Sequence, residues 1–315
     1  MKSSIDFLIT QKCNYRCEYC SQSKQLTEGR QEEAGDATVN AFLKFLETLP
    51  RDFEITISGG EPLCHKKFFY LTEEIVRLGF KISVVSNFSF PIETYKKLKD
   101  VAGDNLSELF VSLHLSQIKS LDEFLNKAEE FNLYKGKTVF TVASVLSDEN
   151  CDTLKKVAAF TKEKNINFEL QHMRIKNSFV EYAKEASDFI KGFPISKIKE
   201  ASGTFGKICH AGINFLFIYQ NGEVYRCYSS RFNRIHSMGN IKDKNFKIYK
   251  TPIPCLNKNC TCPKPIIKGM IDYKKKAPFK AALLGAYNIL WIPYYAVKNF
   301  EIIKTKFTQA KKFKK

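Results

Sequence analysis

Residues 5–20 read IDFLITQKCNYRCEYC, and this stretch decides the fold. Its first six residues are mostly apolar or β-branched, which is typical of a buried β-strand. Three cysteines follow at once, Cys13, Cys17 and Cys20, separated by three residues and then by two. Because the loops at the carboxyl ends of strands line the active site of parallel β/α proteins, we expect the chemistry of this protein in the cysteine loop.

Further strand-like runs follow before about residue 173, and amphipathic stretches separate them. The predicted strands are Ile5–Thr10, Phe53–Ser58, Lys81–Ser86, Leu109–Leu115, Thr138–Val145 and Ile166–His172. The predicted helices are 36–48 with Asp36 as the N-cap, 67–78, 91–101, 120–131, 150–164 and about 179–192. Repeated β/α units with apolar strands predict an α/β fold, whose parallel sheet is either open and doubly wound or a partial barrel.

The pattern changes after about residue 200. Two β-rich runs, 215–219 and 223–228, flank Gln220-Asn221-Gly222, and an Asn-Gly turn between such runs predicts a β-hairpin. A segment rich in Cys, Pro and Lys follows to about residue 276. The predicted domains are a core over 1–200, a small Cys-rich domain over 201–275 and a basic, apolar helical tail over 276–315.

Length, composition and cysteine usage narrow the class of protein. The chain has 315 residues, 44% of them hydrophobic, which is enough for a full core and excludes intrinsic disorder and a small disulfide scaffold. The first residues show no long apolar segment and no small-residue cleavage site, so we expect a cytoplasmic protein whose ten cysteines stay reduced. Cys64 and Cys151 stand alone and are expected to be small buried hydrophobes.

The cysteine loop suits an iron–sulfur cluster. Three thiolates can hold three irons of a 4Fe–4S cube and leave the fourth iron open to a ligand that is not protein. Structural zinc is the alternative, but zinc normally takes four protein ligands and usually begins with cysteines two residues apart. Here the first gap is three residues, and no fourth ligand lies nearby.

The CxxxCxxC loop after the first strand resembles that of the radical S-adenosylmethionine (SAM) enzymes, which have a partial, TIM-like (β/α)6 barrel. The resemblance implies that Cys13, Cys17 and Cys20 ligate the cluster and that the methionine end of SAM occupies the fourth iron. It also implies that one-electron reduction cleaves SAM to a 5′-deoxyadenosyl radical, with flavodoxin or ferredoxin as the electron donor. Tyr19 matches the family's aromatic position near the adenine.

A second match follows the second strand and reads Ser58-Gly59-Gly60-Glu61-Pro62. Two glycines let the backbone approach a ligand closely, and a carboxylate can pair with an ammonium group. The family uses this GGEP element to hold the methionine amino group. Weaker matches, which could equally be turn formers or caps, occur at later strand ends where the family contacts the ribose and carboxylate of SAM. They are Ser86, Asn87, Ser112 and His114.

Five more cysteines lie near the predicted hairpin and after it. They are Cys209, Cys227, Cys255, Cys260 and Cys262. Together with the Gly222-x4-Cys227 spacing, they resemble the SPASM or twitch extension of radical SAM enzymes, which carries auxiliary 4Fe–4S clusters. The full extension has seven cysteines and a CxxCxxxxxC segment, whereas this chain has CxxxxCxC. We therefore expect one auxiliary cluster held by four of the five thiols, with structural zinc as the alternative.

The net charge of +17 is concentrated near the C-terminus. Residues 264–315 contain thirteen lysines against two acidic residues, and they enclose a nearly apolar run, 281–297, that includes Trp291. A helix lying in the headgroup region of an anionic membrane fits this pattern best. A helix docked on the barrel and a membrane-spanning helix are alternatives. The pattern argues against nucleic acid as a partner, because the aromatic residues are not interleaved with the lysines.

The sequence therefore predicts a cytoplasmic radical SAM enzyme, peripheral at the inner face of the membrane. Its predicted substrate is a peptide or protein side chain, or a saccharide or envelope precursor. One alternative is a radical activase that acts on a partner enzyme. Another is a non-catalytic, zinc-stabilised protein that binds nucleic acid.

Overall fold

The computed structural model describes residues 3–20, 32–175, 178–193, 203–228, 230, 237–243, 246–257, 260 and 270–277. Cys262 lies outside them, as does the predicted tail beyond residue 277.

The main body consists of six β/α units, as the sequence predicts. The strands are β1 (Ser3–Thr10), β2 (Phe53–Gly59), β3 (Lys81–Ser86), β4 (Leu106–Leu113), β5 (Val139–Leu146) and β6 (Asn167–His172). The helices are α1 (Asp36–Glu47), α2 (Phe68–Arg77), α3 (Ile92–Ala102), α4 (Leu121–Tyr134), α5 (Cys151–Glu163) and α6 (Lys184–Lys191). All six strands begin and end within three residues of their predicted limits.

The six strands lie side by side in chain order, and every neighbouring pair is parallel. This arrangement is the parallel α/β sheet of a partial TIM-like barrel, so the predicted fold class is confirmed. The other strands of the described residues are short: β7 (Arg174–Ile175), β8 (Ser178–Phe179), β9 (Lys207–Cys209), β10 (Phe215–Ile218), β11 (Glu223–Tyr225), β12 (Ser237–Asn240), β13 (Ile253–Pro254) and β14 (Ile271–Lys276).

The predicted hairpin forms and extends the main sheet. Strand β10 pairs in parallel with β1, on the side opposite β2, and β11 and β12 follow as antiparallel neighbours. A separate small sheet has β9 at its centre, between β13 and β14. The chain after residue 203 therefore supplies both an extension of the barrel sheet and a second sheet that carries Cys209.

Alternation along β1 shows how the core positions the site. Ile5, Phe7 and Ile9 face the helices, and the Phe7 ring stacks on Phe42 of α1 with ring centroids 4.3 Å apart. Full burial of each such side chain stabilises the fold by about 1.5–3 kcal/mol. Leu8 lies on the opposite face, where it packs against aromatic residues of β10 and β11. The helices thus fix the strands from one side and leave the other side available for a site.

Two local expectations differ from the structure. The predicted N-cap, Asp36, is the first helical residue, and Gly35 is the cap; the Asp36 carboxylate instead pairs with Lys67 at 2.7 Å. Helix α6 begins at Lys184 instead of near residue 179, because β7 and β8 use the preceding residues for a short antiparallel pair. Within the described ranges, every helix is too short or too polar to cross a membrane.

Candidate active site

The cysteine loop and the GGEP element meet at the carboxyl ends of β1 and β2. The backbone N–H of Gly60 donates to the Thr10 carbonyl at 2.8 Å, and the N–H of Glu61 donates to the Lys12 carbonyl at 2.8 Å. A Cβ atom on Gly60 would lie 2.3 Å from the Lys12 carbonyl oxygen, and one on Gly59 would lie 2.3 Å from that of Thr10. Both glycines are therefore required because the backbone of the GGEP element packs directly against the backbone of residues 10–12. The sequence did not reveal this reason for the two glycines.

The three thiols of the loop differ in burial. Cys17 is 8% exposed, whereas Cys13 and Cys20 are half-buried. Burial, together with the neighbouring thiols Cys20 and Cys13, raises the pKa of Cys17 to about 12. Burial also raises the pKa of Cys13. Because burial disfavours a bare thiolate while a bound cation stabilises it, the loop suits thiols that are deprotonated on binding iron.

Among the described residues, no three His, Cys, Asp or Glu side chains converge closely enough to hold a single metal ion. A 4Fe–4S cube does not need such convergence, since each thiolate binds a different iron. No described cysteine forms a disulfide. The donor set of the loop, three free thiols within eight residues, fits the cluster predicted from the sequence.

Glu61 is completely buried, and protein groups occupy its carboxylate. Oε1 accepts a hydrogen bond from the backbone N–H of Leu63 at 3.1 Å, and Oε2 accepts one from the N–H of Asn87 at 2.6 Å. The Ser86 hydroxyl donates to both oxygens, at 3.0 and 3.1 Å. Burial raises the pKa of Glu61 to about 7, although these three donors oppose the shift. The carboxylate therefore links the segment after β2 to the end of β3.

Asn87 connects this buried carboxylate to the cysteine loop. Its side-chain amide donates to Oδ1 of Asn14 at 2.8 Å and reaches Sγ of Cys13 at 3.8 Å. Asn14 in turn donates to the Ser89 hydroxyl at 2.8 Å. The predicted residues Ser86 and Asn87 thus lie next to the cluster loop, and Asn14 is a loop anchor that the sequence did not single out.

The end of β4 holds the loop from the other side. The Tyr19 hydroxyl and Nδ1 of His114 share a hydrogen bond of 2.9 Å, and their rings stack with centroids 5.8 Å apart. Tyr15 packs its ring against the edge of His114. Burial lowers the pKa of His114 to about 4, so the imidazole is neutral near pH 7. The side chain of Gln117 also accepts from the N–H of Arg16 at 2.8 Å.

The remaining predicted cofactor residues occupy neighbouring strand ends. Ser58 is half-buried at the end of β2, opposite Leu8 in register, and Pro62 is buried. Ser112 is half-buried near the end of β4, where it pairs in register with Ala143. The structure therefore places every predicted cofactor residue at the carboxyl ends of β1 to β4.

The second cysteine group forms a buried site of its own. Cys209, Cys227, Cys255 and Cys260 are all between 4% and 7% exposed. They line one small cavity together with Arg226, Ser230 and Asn257. Burial raises the pKa of Cys209, while Arg226 opposes that shift. Four buried thiols around one cavity are the number of protein ligands that either a 4Fe–4S cluster or structural zinc takes, although in the described residues they do not converge on the position of a single metal ion.

An aromatic cluster lies beside β1 on the face away from the helices. Phe217 and Tyr228 pack with ring centroids 4.7 Å apart, and Tyr219 packs on Phe217 at 5.3 Å. The Tyr228 hydroxyl donates to Oδ2 of Asp6 at 2.7 Å. Since Tyr228 follows Cys227 directly, this bond joins the second cysteine site to the first strand of the barrel.

Residues 7–115 match the family model of the radical SAM superfamily. A GTP 3',8-cyclase of Listeria monocytogenes serotype 4b (strain CLIP80459) is 27% identical over 251 residues, which are 67% of this chain and 73% of that protein. The tungsten-containing aldehyde ferredoxin oxidoreductase cofactor-modifying protein of Pyrococcus furiosus is 27% identical over 159 residues, which are 49% of this chain and 38% of that protein.

Two solved structures share the fold. Streptococcus suis SuiB bound to S-adenosylmethionine aligns with a TM-score of 0.55 and 12% identity, over 77% of this chain and 64% of that chain. Native anSMEcpe with bound AdoMet aligns with a TM-score of 0.56 and 18% identity, over 79% of this chain and 80% of that chain. The chain thus spans slightly less than two thirds of SuiB.

The matching domain contains the cysteine loop, the GGEP element and the first four strands. These findings support an enzyme that uses SAM and a 4Fe–4S cluster, as the resemblance implied. The alternative of a non-catalytic, zinc-stabilised protein is set aside.

Proposed function

We propose that this radical SAM enzyme cleaves SAM reductively at a cluster held by Cys13, Cys17 and Cys20, and that it abstracts a hydrogen atom from its substrate. When bound, the cluster and SAM supply the one-electron reduction and the 5′-deoxyadenosyl radical. The single observation that carries the proposal is the hydrogen-bonded unit of the cysteine loop, Glu61 and Asn87 at the strand ends.

The residues of this chain position the cofactors. Glu61 holds the N–H of Asn87, and Asn87 holds the loop through Asn14, so β3 and the cluster loop keep a fixed distance. On the opposite side, His114 holds the ring of Tyr19, which the resemblance places near the adenine. Buried polar contacts of this kind preorganise a site, because the side chains need not rearrange when the ligand binds.

We further propose that Cys209, Cys227, Cys255 and Cys260 hold one auxiliary 4Fe–4S cluster. The four buried thiols of a single cavity support this proposal, and they are four of the five that the sequence singles out. The link from Tyr228 to Asp6 holds this site against the barrel. An auxiliary centre in that place would adjoin the aromatic face of the barrel, where a substrate would meet the radical.

The proposed substrate is a peptide or protein side chain, or a saccharide precursor. A nucleotide is a second candidate, because the GTP 3',8-cyclase of Listeria monocytogenes covers 67% of this chain. The partly buried rings of Tyr219 and Tyr228 in the aromatic cluster suit stacking with either a nucleobase or a sugar ring. Incubation with peptide, aminosugar and nucleotide pools, followed by detection of SAM-dependent mass changes, distinguishes the classes.

The decisive test measures 5′-deoxyadenosine after dithionite reduction of anaerobically purified protein with SAM. The wild-type chain is expected to form it, and Cys17→Ala to lose it together with about four irons per chain. Cys151→Ala is the matched control, because Cys151 is 4% exposed in the helix-packed core, away from both cysteine groups. Equal product from wild type and Cys17→Ala would refute the assignment of the loop.

Metal analysis tests the auxiliary cluster separately. About eight irons per chain, with matching sulfide, would support two clusters. About four irons with one zinc would replace the auxiliary cluster with structural zinc, and four irons without zinc would leave the second cysteine group without a metal.

A further inference from the structure

Arg226 is a buried cation beside the second cysteine site. Arg226 is only 2% exposed, and it immediately precedes Cys227 in the sequence. The guanidinium donates to three backbone carbonyls, those of Pro254 at 3.1 Å, Cys209 at 3.3 Å and Ile253 at 3.3 Å. All three of these acceptors are neutral, although a buried arginine is normally paired with an anion.

The surrounding chain offers no carboxylate for this charge. Residues 203–277 contain only three acidic side chains, Glu223, Asp243 and Asp272. Asp272 accepts the backbone N–H groups of Lys274 and Lys275, and Asp243 is exposed. Within the described part of the chain, Arg226 makes no ion pair with these or any other carboxylates. Among the described residues, its positive charge therefore has no carboxylate partner.

The same cavity offers a different source of negative charge. Arg226 lines it together with Cys209, Cys227, Cys255 and Cys260. Four thiolates carry four negative charges, and a zinc ion or an oxidised 4Fe–4S core carries two positive charges. Either centre therefore has a net charge of about −2 at a place where the fold already holds a buried positive charge.

We propose that Arg226 is the buried counter-charge of the auxiliary metal–thiolate centre. The inference rests on the proposed auxiliary centre, but it holds for iron or zinc. Arg226 acts as a positioning residue. Its guanidinium donates to backbone carbonyls of β9, which contains Cys209, and of β13, which directly precedes Cys255. Its positive charge offsets the negative charge of the thiolates. In a redox-active cluster, a nearby positive charge favours the more negative, reduced state and so raises the reduction potential.

If Arg226 had only a structural role, its variants would behave differently. If Arg226 only ties β9 to β13 through carbonyls, any side chain that lacks the guanidinium fork will loosen the site, whatever its charge. If the charge is what matters, a lysine retains most of the effect and a glutamine loses it. Arg226→Lys and Arg226→Gln therefore separate the two roles.

The experiment uses the full chain with Cys13, Cys17 and Cys20 changed to alanine, so that only the auxiliary centre contributes. The protein is reconstituted anaerobically with iron and sulfide. Two quantities are then measured: the reduction potential of the cluster, determined by a redox titration monitored by electron paramagnetic resonance, and the rate at which a chelator removes the metal. If the centre contains zinc, the rate of zinc loss is the readout. The matched control is Arg51→Gln, because Arg51 also donates to two carbonyls, of Leu46 and Leu49, but lies beside α1.

We expect Arg226→Gln to lose metal about 10–100 times faster than the parent chain. Its reduction potential should also be lower, by about 59 mV for each tenfold loss in the stabilisation of the reduced cluster relative to the oxidised cluster. Arg226→Lys is expected to stay close to the parent chain, and Arg51→Gln to match it. If Arg226→Lys behaves like Arg226→Gln, or if neither differs from the parent chain, the counter-charge role is wrong. A parent chain that binds neither iron nor zinc would overturn the auxiliary centre itself.

Discussion

The backbone N–H of Asn87 donates a 2.6 Å hydrogen bond to the buried carboxylate of Glu61, and the side chain of the same asparagine reaches Sγ of Cys13. A residue at the end of β3 thereby connects the element after β2 to the loop after β1. Both carboxylate oxygens of Glu61 already accept hydrogen bonds from protein groups. Glu61 therefore contributes to the site by fixing the positions of these two loops.

Replacement of this carboxylate by an amide should weaken SAM binding. In Glu61→Gln, one oxygen becomes an NH2 group that faces N–H and O–H donors, and each buried donor left without an acceptor costs about 1–3 kcal/mol. We expect the Kd for SAM, measured by equilibrium dialysis on reconstituted protein, to rise at least about tenfold.

The matched control for this variant is Glu130→Gln. Glu130 lies on the surface of α4 and pairs with Lys96 at 2.6 Å, a contact worth little in solvent. The Glu130→Gln variant should therefore bind SAM with unchanged affinity. An unchanged Kd for Glu61→Gln in a folded protein would show that the buried carboxylate does not organise the site.

The glycines before Glu61 should tolerate no side chain. In Gly60→Ala, the new Cβ would lie 2.3 Å from the Lys12 carbonyl oxygen and 2.6 Å from that of Gln11, so one backbone must move. Such overpacking typically costs about 1–3 kcal/mol. We expect the loss of about four irons per chain and of 5′-deoxyadenosine formation.

Gly35→Ala is the comparison for this prediction, because a Cβ there has no atom within 4 Å. It should keep its iron and its activity. If Gly60→Ala retains the full iron content, the close contact between the two loops is not needed to hold the cluster.

The pair of Tyr19 and His114 can be tested by a double-mutant cycle. Tyr19→Phe removes the hydroxyl and His114→Phe removes Nδ1, while each keeps an aromatic ring for the stack. Each variant should weaken SAM affinity by about 0.5–1.5 kcal/mol, the usual contribution of a hydrogen bond. Because the Tyr19 hydroxyl also bonds to Cys17, the double variant should be no worse than Tyr19→Phe alone, whereas fully additive losses would show that Tyr19 and His114 act independently.

Much of the fold could be predicted because each β/α unit has its own local pattern. The apolar strands and the amphipathic helices α1 to α5 appear within about three residues of their predicted positions, and the cysteine spacing located the site. The pairing of β10 with β1 could not be predicted, since it joins residues more than 200 positions apart. Local patterns contain no information about such a contact.

The site shows the same limit. The sequence identified the GGEP element, but it gave no indication that the Glu61 carboxylate is buried against Ser86 and Asn87. Arg226 was overlooked because a single arginine next to a cysteine has no sequence signal; its meaning comes from its burial and from the absence of a carboxylate in the described residues around it.

The basic C-terminal segment is expected, from its sequence, to bind anionic membranes. Residues 281–297 are almost entirely apolar and include Trp291, and lysines flank them on both sides. Each lysine near an anionic leaflet contributes about 1 kcal/mol to binding. The full chain should float with vesicles that contain phosphatidylserine, more weakly with phosphatidylcholine alone, and less again in high salt. A chain that ends at Lys275 should remain unbound in all three conditions; if the two chains float equally, the segment does not mediate membrane association.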